Sequence, residues 1–355
     1  MKLPHPAATY VLATMCIAWQ PSVAQSGPAE ILALRQAVID HAWDRATTFL
    51  DTRRADARRD ITLDGRYLFA YRAFDTADPT LGTHLDAWVA AQPTNAIARA
   101  ARAEYRLARG WRVRRFGAAS TVSHAMHEAM RTFLELATED AKAVAILDPA
   151  DIAPHWIMLD VTRLIGDHET QRIVIDDAAR VAPGSLALHM RHMESLRPRW
   201  GGSPDAMREY ADSMQRFVAL NPGLKALKGF AAYDRWETLM EDNQNEAALR
   251  ACNEALSFGD NPVFRYARAQ LLFDMDEPEK ALVDVNRAIA ERPGWSRQLA
   301  YRSMILATIA YHSAEPGVKV DLLRRAREDV RIAGALDPTD PDVIWAREYF
   351  DKSSP

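Results

Sequence analysis

The chain repeats a pattern of small residues and prolines along its second half. Ala248 and Ala255 recur as Ala281 and Ala288 at an offset of 33, and Ala326, Val330, Ala333 and Pro338 follow Ala281, Val285, Ala288 and Pro293 at a constant offset of 45. Self-similarity on this scale restricts a chain to stacked supersecondary units, each burying a face that its neighbour completes. One unit is plainly legible between Pro262 and Pro293. Tyr266, Leu271, Leu272 and Phe273 belong to a first helical run, which Asp274-Met275-Asp276-Glu277-Pro278 breaks. Proline lacks the N–H a helix interior needs but suits the first position of a new helix. In the second run Leu282, Val285 and Ile289 recur at helical spacing, and the small residues Ala269, Ala281 and Ala288 mark where two helices approach most closely.

The pair Arg268-Ala269 recurs as Arg302-Ser303 at an offset of only 34, so the later unit carries an 11-residue insertion between its helices. A loop around His312-Ser313-Ala314-Glu315-Pro316-Gly317 is the expected place for it. Arg347 follows Pro338 by nine residues, as Arg302 follows Pro293, which predicts a closing helix from Asp342 to Phe350. These spacings resemble the tetratricopeptide repeat, a helix-turn-helix unit of about 34 residues. The resemblance implies an all-α fold: a right-handed α-solenoid of antiparallel helix pairs. Arg268 and Arg302 stand where that repeat has an apolar residue, and Trp236 where it has a small one. Fainter echoes continue upstream, where Pro183 follows Pro149 at an offset of 34 and Pro222 comes 39 later, the extra length falling at Trp200-Gly201-Gly202-Ser203-Pro204.

The first half also carries Leu63-Asp64-Gly65-Arg66-Tyr67-Leu68, Leu85-Asp86-Ala87-Trp88 with Gln92-Pro93, Ala108-Arg109-Gly110-Trp111, Leu147-Asp148-Pro149 and Arg197-Pro198-Arg199-Trp200-Gly201-Gly202-Ser203. In this order the blocks resemble a bacterial family catalogued as domain of unknown function 4034, over residues 30–222. The resemblance implies a helical, repeat-like domain beside tetratricopeptide units and implies no chemistry. The expected organisation is a signal peptide at 1–24, a helical repeat-like domain at 25–222 and a tetratricopeptide-like domain at 223–355.

Lys2, the apolar run from Ala7 to Trp19 and Ser22-Val23-Ala24 read as a secretory signal cut after Ala24, which predicts a periplasmic or secreted protein. No later segment reaches 18 uncharged apolar residues, so no transmembrane segment is expected after signal removal. Cleavage takes Cys16 away and leaves Cys252, at the repeat position of Val285, as a small buried hydrophobe. Forty-four basic and 48 acidic side chains nearly balance, with a net charge of −4, so the chain has no global electrostatic footprint for nucleic acid.

Motifs for catalysis are missing. There is no Gly-x-Ser-x-Gly elbow, dinucleotide-binding glycine fingerprint, phosphate loop or His-Glu-x-x-His helix. The pairs His124/His127 and His189/His192 lack zinc-ligand spacing and read as solvated or hydrogen-bonded side chains, so neither a metal nor a cofactor is expected. Trp200 reads as a packing wedge at a chain reversal, and Ser203-Pro204-Asp205 as a helix N-cap, first residue and first-turn acid. Arg99, Arg102, Arg106 and Arg109 recur every three or four residues, ahead of Trp111. Such a stripe either docks an anionic partner or pairs with Glu135, Glu139 and Asp140 of the following helix. In the later repeats the register brings Tyr266, Gln270, Phe273, Arg297, Met304, Trp345 and Tyr349 toward the concave surface, a mixture suited to an extended peptide.

The expected function is therefore an exported, non-enzymatic adaptor or scaffold that binds a protein or peptide on its concave surface. A cell-envelope enzyme, hydrolytic in type, with its site in the N-terminal helical domain is the first alternative, and a structural self-assembling protein the second. Close helix approach at Ala288 carries a direct consequence: a bulky residue there, as in Ala288→Leu, is expected to cost about 1–3 kcal/mol through overpacking, measured by urea denaturation.

Overall fold

Two kinds of turn alternate along the chain and set its architecture. Within a helix pair, His41, Gly166, Asn243 and Asp276 adopt left-handed conformations, with φ of 58°, 72°, 56° and 61°. The N–H of the next residue then reaches back five residues, from Ala42 to Ala37, Asp167 to Thr162, Gln244 to Leu239 and Glu277 to Leu272, at 2.8–2.9 Å. This arrangement satisfies the last carbonyls of the first helix and reverses the chain. Asn243 and Asp276 stand at the same offset as the repeated alanines. Between pairs, a proline stands two residues beyond the last helical residue at Pro93, Pro149, Pro183, Pro293 and Pro338 and prevents continuation.

The computed structural model describes residues 27–114 and 122–352. The expected signal peptide and Cys16 lie outside the described residues. The helices run α1 Pro28–Ile39, α2 Trp43–Arg59, α3 Asp64–Leu68 followed by a 3-10 segment Phe69–Phe74, α4 Thr80–Ala91, α5 Ala96–Arg114, α6 His124–Leu147, α7 Ala153–Ile165, α8 His168–Val181, α9 Leu186–Ser195, α10 Pro204–Met214, α11 Phe230–Glu241, α12 Asn245–Ser257, α13 Pro262–Asp274, α14 Pro278–Glu291, α15 Ser296–His312, α16 Pro316–Leu336 and α17 Pro341–Lys352. No strand occurs among the described residues. The fold is an all-α solenoid of antiparallel helix pairs, with odd-numbered first helices and even-numbered second helices from α5 onward. The pair α13/α14 matches its sequence reading closely: Pro262 and Pro278 open the helices, Asn261 caps α13 by accepting from the Val263 N–H at 2.8 Å, and Ala269, Ala281, Val285 and Ala288 are buried.

The 11-residue insertion is not a loop. Helices α15 and α16 have 17 and 21 residues against 13 and 14 in α13 and α14, while the turn between them stays short. The extra four and seven residues are close to one and two helical turns, so both helices lengthen without rotating their buried faces.

Arginine at the apolar repeat position is also explained. Arg102, Arg268 and Arg302 each hold a buried aspartate of the paired second helix bidentately, Asp140, Asp284 and Asp329, at 2.6–2.9 Å. Their third nitrogens reach the preceding helix at Asp86, Asn253 and Asn286. One side chain thus ties three helices, which an apolar residue could do only by packing.

The family-like blocks of the first half are structural. Asp64 accepts from the Ser185 hydroxyl at 2.5 Å and the Ala187 N–H at 2.9 Å, fastening α3 to the start of α9, and burial raises its pKa to about 6. Tyr67 donates to the buried Asp151 carboxylate, which Arg54 also holds at 3.2 Å. Apolar packing crosses the midpoint of the chain. One cluster runs from Ile31 to Phe350, and a second, from Met190 to Phe264, spans position 222.

The solenoid closes on itself. Arg35 on α1 donates to the Ala73 carbonyl at 2.5 Å and to the carbonyls of Ala335 and Leu336, at the end of α16, at 2.7 and 3.1 Å. Arg112 bridges Asp75 and Asp337, both at 2.9 Å. Where the N-terminal segment meets the α14–α15 turn, a Cβ on Gly294 would stand 2.8 Å from the Arg72 Cβ, so glycine permits the approach. Arg35→Met is expected to strand three carbonyls and to lower stability by about 2–3 kcal/mol. Hydrogen exchange should then quicken in α1 and at the end of α16 together. Faster exchange in α1 alone would show that the closure carries no stability.

Candidate functional site

The first helices face inward, and with the N-terminal elements they line a pocket of about 560 Å³ on the concave surface. That volume is typical of small-ligand sites. Its wall is built from α5, α7, α9, α11 and α13, together with the 3-10 segment and the α14–α15 turn. Aromatic rings from Phe69, Trp111, Trp156, Tyr233, Tyr266 and Trp295 alternate with charged groups.

The charges are unevenly paired. Arg191 stacks on the Trp156 ring at 3.4 Å and holds Asp160 at 2.5 Å, and Asp160 also takes Arg163 at 2.5 Å. Arg72 holds Asp75 at 2.6 Å. The fully buried Arg197, from the Arg-Pro-Arg-Trp-Gly-Gly-Ser block, draws in two lining acids from behind, Glu194 at 3.1 Å and Glu237, and holds Asp234 at 2.7 Å. Arg292 is different. It lies between Phe69 and Trp295, its guanidinium carbon 4.6 and 3.9 Å from the two ring centres, and has no hydrogen-bond or ion-pair partner for its side chain among the described residues. Burial, with Arg72 and Arg191 nearby, lowers its pKa to about 9.

Other polar atoms of the wall are also unpaired among the described residues. Glu104 is 2% exposed and its Oε2 has no partner, nor do the Tyr266 hydroxyl and the indole N–H groups of Trp156 and Trp236. Burial raises the Glu104 pKa, an effect that Arg191 and Arg72 oppose. Buried polar groups without partners are rare and costly, and in a cavity they describe what an occupant would supply.

The residues singled out from sequence are distributed over several environments. Of the predicted groove, Tyr266, Gln270 and Arg297 line the cavity. Phe273 packs edge-on against Tyr301 and Met304 is 6% exposed, so both belong to the packing. Trp345 and Tyr349 lie on the outer part of α17, 53% and 40% exposed. The concave surface is thus a pocket walled by the first helices and the N-terminal elements, and it takes in three of the seven predicted groove residues. The arginine stripe is taken up internally: Arg102 and Arg106 hold Asp140 at 2.7 Å, Arg99 lies 3.6 Å from it, and Arg109 donates to the Ala77 carbonyl at 2.6 Å. The stripe therefore follows its intramolecular reading, whereas Trp111 reaches the cavity and meets Trp200 edge-on at 5.8 Å.

His124 is exposed, and the His127 ring lies 3.1 Å from the Ser123 carbonyl. His189 is buried between the Tyr210 hydroxyl at 2.6 Å and the Pro183 carbonyl at 3.0 Å. Burial pushes the Cys252 thiol up to about 12. Sequence reasoning missed Glu104, Arg191 and Arg292. Glu104 and Arg191 interrupt runs of otherwise buried residues on α5 and α9, and that interruption was the available signal.

Glu104 links the site to pH. Its folded pKa lies above its unfolded value, so the folded state holds the proton more tightly and stability falls as pH rises above about 4.5. Glu104→Gln is expected to raise the melting temperature at pH 8 and to change it little at pH 4. Equal shifts at both values would assign the effect to packing.

Residues 30–170 match the model of a family described as Domain of unknown function (DUF4034). The match stops short of the Arg197–Ser203 block. Comparison with curated proteins gives no match. Among solved structures, the chain is similar to one described as the APC/C hetero-tetramer Cut9-Hcn1, at 13% identity and a TM-score of 0.35, over 90% of this chain and 54% of that one. It is also similar to the human IFIT1 dimer with m7Gppp-AAAA, at 11% identity and a TM-score of 0.37, over 87% of this chain and 77% of that one. The chain thus spans about half the length of the first of these.

Proposed function

We propose that this chain is an exported, non-catalytic binding scaffold that holds a ligand in the pocket of its concave surface and presents its outer face to a protein partner. The observation that carries this reading is the cavity of about 560 Å³ whose buried wall leaves Glu104 Oε2, the Tyr266 hydroxyl and the Trp156 indole N–H unpaired. Rigid first helices hold these groups in place before anything binds, which lowers the ordering cost of binding. Export rests on the character of residues 1–24. For the protein partner, Ile344, Trp345 and Tyr349 supply exposed apolar area on α17. No nucleic-acid partner is proposed, since the arginine stripe is engaged with Asp140 and Asp86.

Crosslinking in intact cells, read by mass spectrometry, tests the scaffold. A discrete partner should be captured by the wild type and by Tyr266→Ala and lost from a Trp345→Ala/Tyr349→Ala double variant, with the mature protein outside the cytoplasm. Loss from Tyr266→Ala alone would move the partner to the interior. Capture of no partner by the wild type, or a cytoplasmic protein that retains its leader, would sink the reading.

A further inference from the structure

Within the cavity, Arg292 constrains the occupant more than any other group. Its guanidinium carbon lies over the Phe69 and Trp295 rings, at 4.6 and 3.9 Å, and its N–H groups have no polar partner among the described residues. An unpaired, planar set of donors matches an acceptor that lies in its plane and offers two oxygens, which is the geometry of a carboxylate. The neighbouring cations do not compete for that role, because Arg72 is held by Asp75 and Arg191 by Asp160. The other arginines of the wall, Arg72, Arg112, Arg163, Arg191 and Arg297, are each paired with a carboxylate, so a second negative charge on the ligand would find no second unpaired cation. A monoanion is favoured over a phosphate.

The rest of the cavity describes the ligand's body. Tyr233, Tyr266 and Trp295 line it with aromatic surface, with Trp236 and Arg197 over the Tyr233 ring and Arg292 over the Trp295 ring, a setting that favours an apolar group. Glu104, 2% exposed with Oε2 unpaired, calls for a hydroxyl or amine donor. The volume of about 560 Å³ suits a small molecule.

We propose that the central cavity binds a small organic monocarboxylic acid, its carboxylate on the N–H edge of Arg292, its ring among Tyr233, Tyr266 and Trp295, and a hydroxyl or amine substituent toward Glu104. This rests on the interior being a ligand site, and it adds the class of ligand and the residue that selects it.

The test is calorimetric titration of the purified full chain with 4-hydroxyphenylacetate, phenylacetate, indole-3-acetate and 3-phenylpropionate, each beside its neutral amide, with inorganic phosphate as the anion control. At least one acid should bind one to one and raise the melting temperature. Its amide, and Arg292→Met with the acid itself, should bind at least about tenfold more weakly. The preference for 4-hydroxyphenylacetate over phenylacetate should shrink in Glu104→Gln. Binding by none of the acids, amides as tight as acids, or phosphate tighter than both would overturn the proposal. The acid–amide comparison in the wild type decides the matter even if Arg292→Met fails to fold. Failure here leaves the partner captured by crosslinking in cells untouched, so the ligand class and the scaffold reading fall separately.

Discussion

The guanidinium of Arg35 holds the structure in the form that matters. It satisfies one carbonyl of the 3-10 segment and two at the end of α16, a helix terminus whose partial negative charge favours a cation. A stack of helix pairs has no intrinsic reason to close, since each pair needs only its neighbours. Arg35, with Arg112 bridging Asp75 and Asp337, joins elements far apart in sequence and brings the N-terminal segment onto the concave surface.

The ionic interactions fall into two sets with different consequences. Arg102, Arg268 and Arg302 are bidentate to buried aspartates and tethered to a third helix, so their hydrogen-bonding capacity is met within the repeat. Buried pairs of this kind are poor sources of net stability but penalise any register in which the partners separate. The cavity set is incompletely matched. Arg197 restrains Glu194 and Glu237 from behind, Asp160 is shared by two arginines, and Arg292 and Glu104 are left without polar partners at its surface.

The lengthened pair α15/α16 shows how the solenoid tolerates change. Growth by whole turns preserves the buried faces and projects the new residues outward, where Tyr311 and Val320 are largely exposed. A loop of the same length would have left backbone groups to solvent, whereas helical turns satisfy their own. The outer surface can therefore vary while the inner wall keeps its shape.

Local sequence determined the elements of this protein. The repeat period, the prolines at helix starts and ends and the alanines at close contacts all act within one repeat or between adjacent ones, and the structure places α13, α14 and their turn where those residues indicate. The same local logic mispredicted the 11-residue insertion, because a repeat offset counts residues without saying whether they coil or extend. Neither the closure nor the cavity was legible. Arg35 looks like a charge on the edge of an apolar stripe, Arg292 like a residue before a helix-ending proline, and Glu104 like an acid in an alanine-rich helix. Their roles depend on carbonyls, rings and cations tens to hundreds of positions away, and only the superhelical path of the stacked pairs brings those groups together. Periodicity carries information about neighbours along the chain, while the site arises from the accumulated rotation of every pair between its two ends.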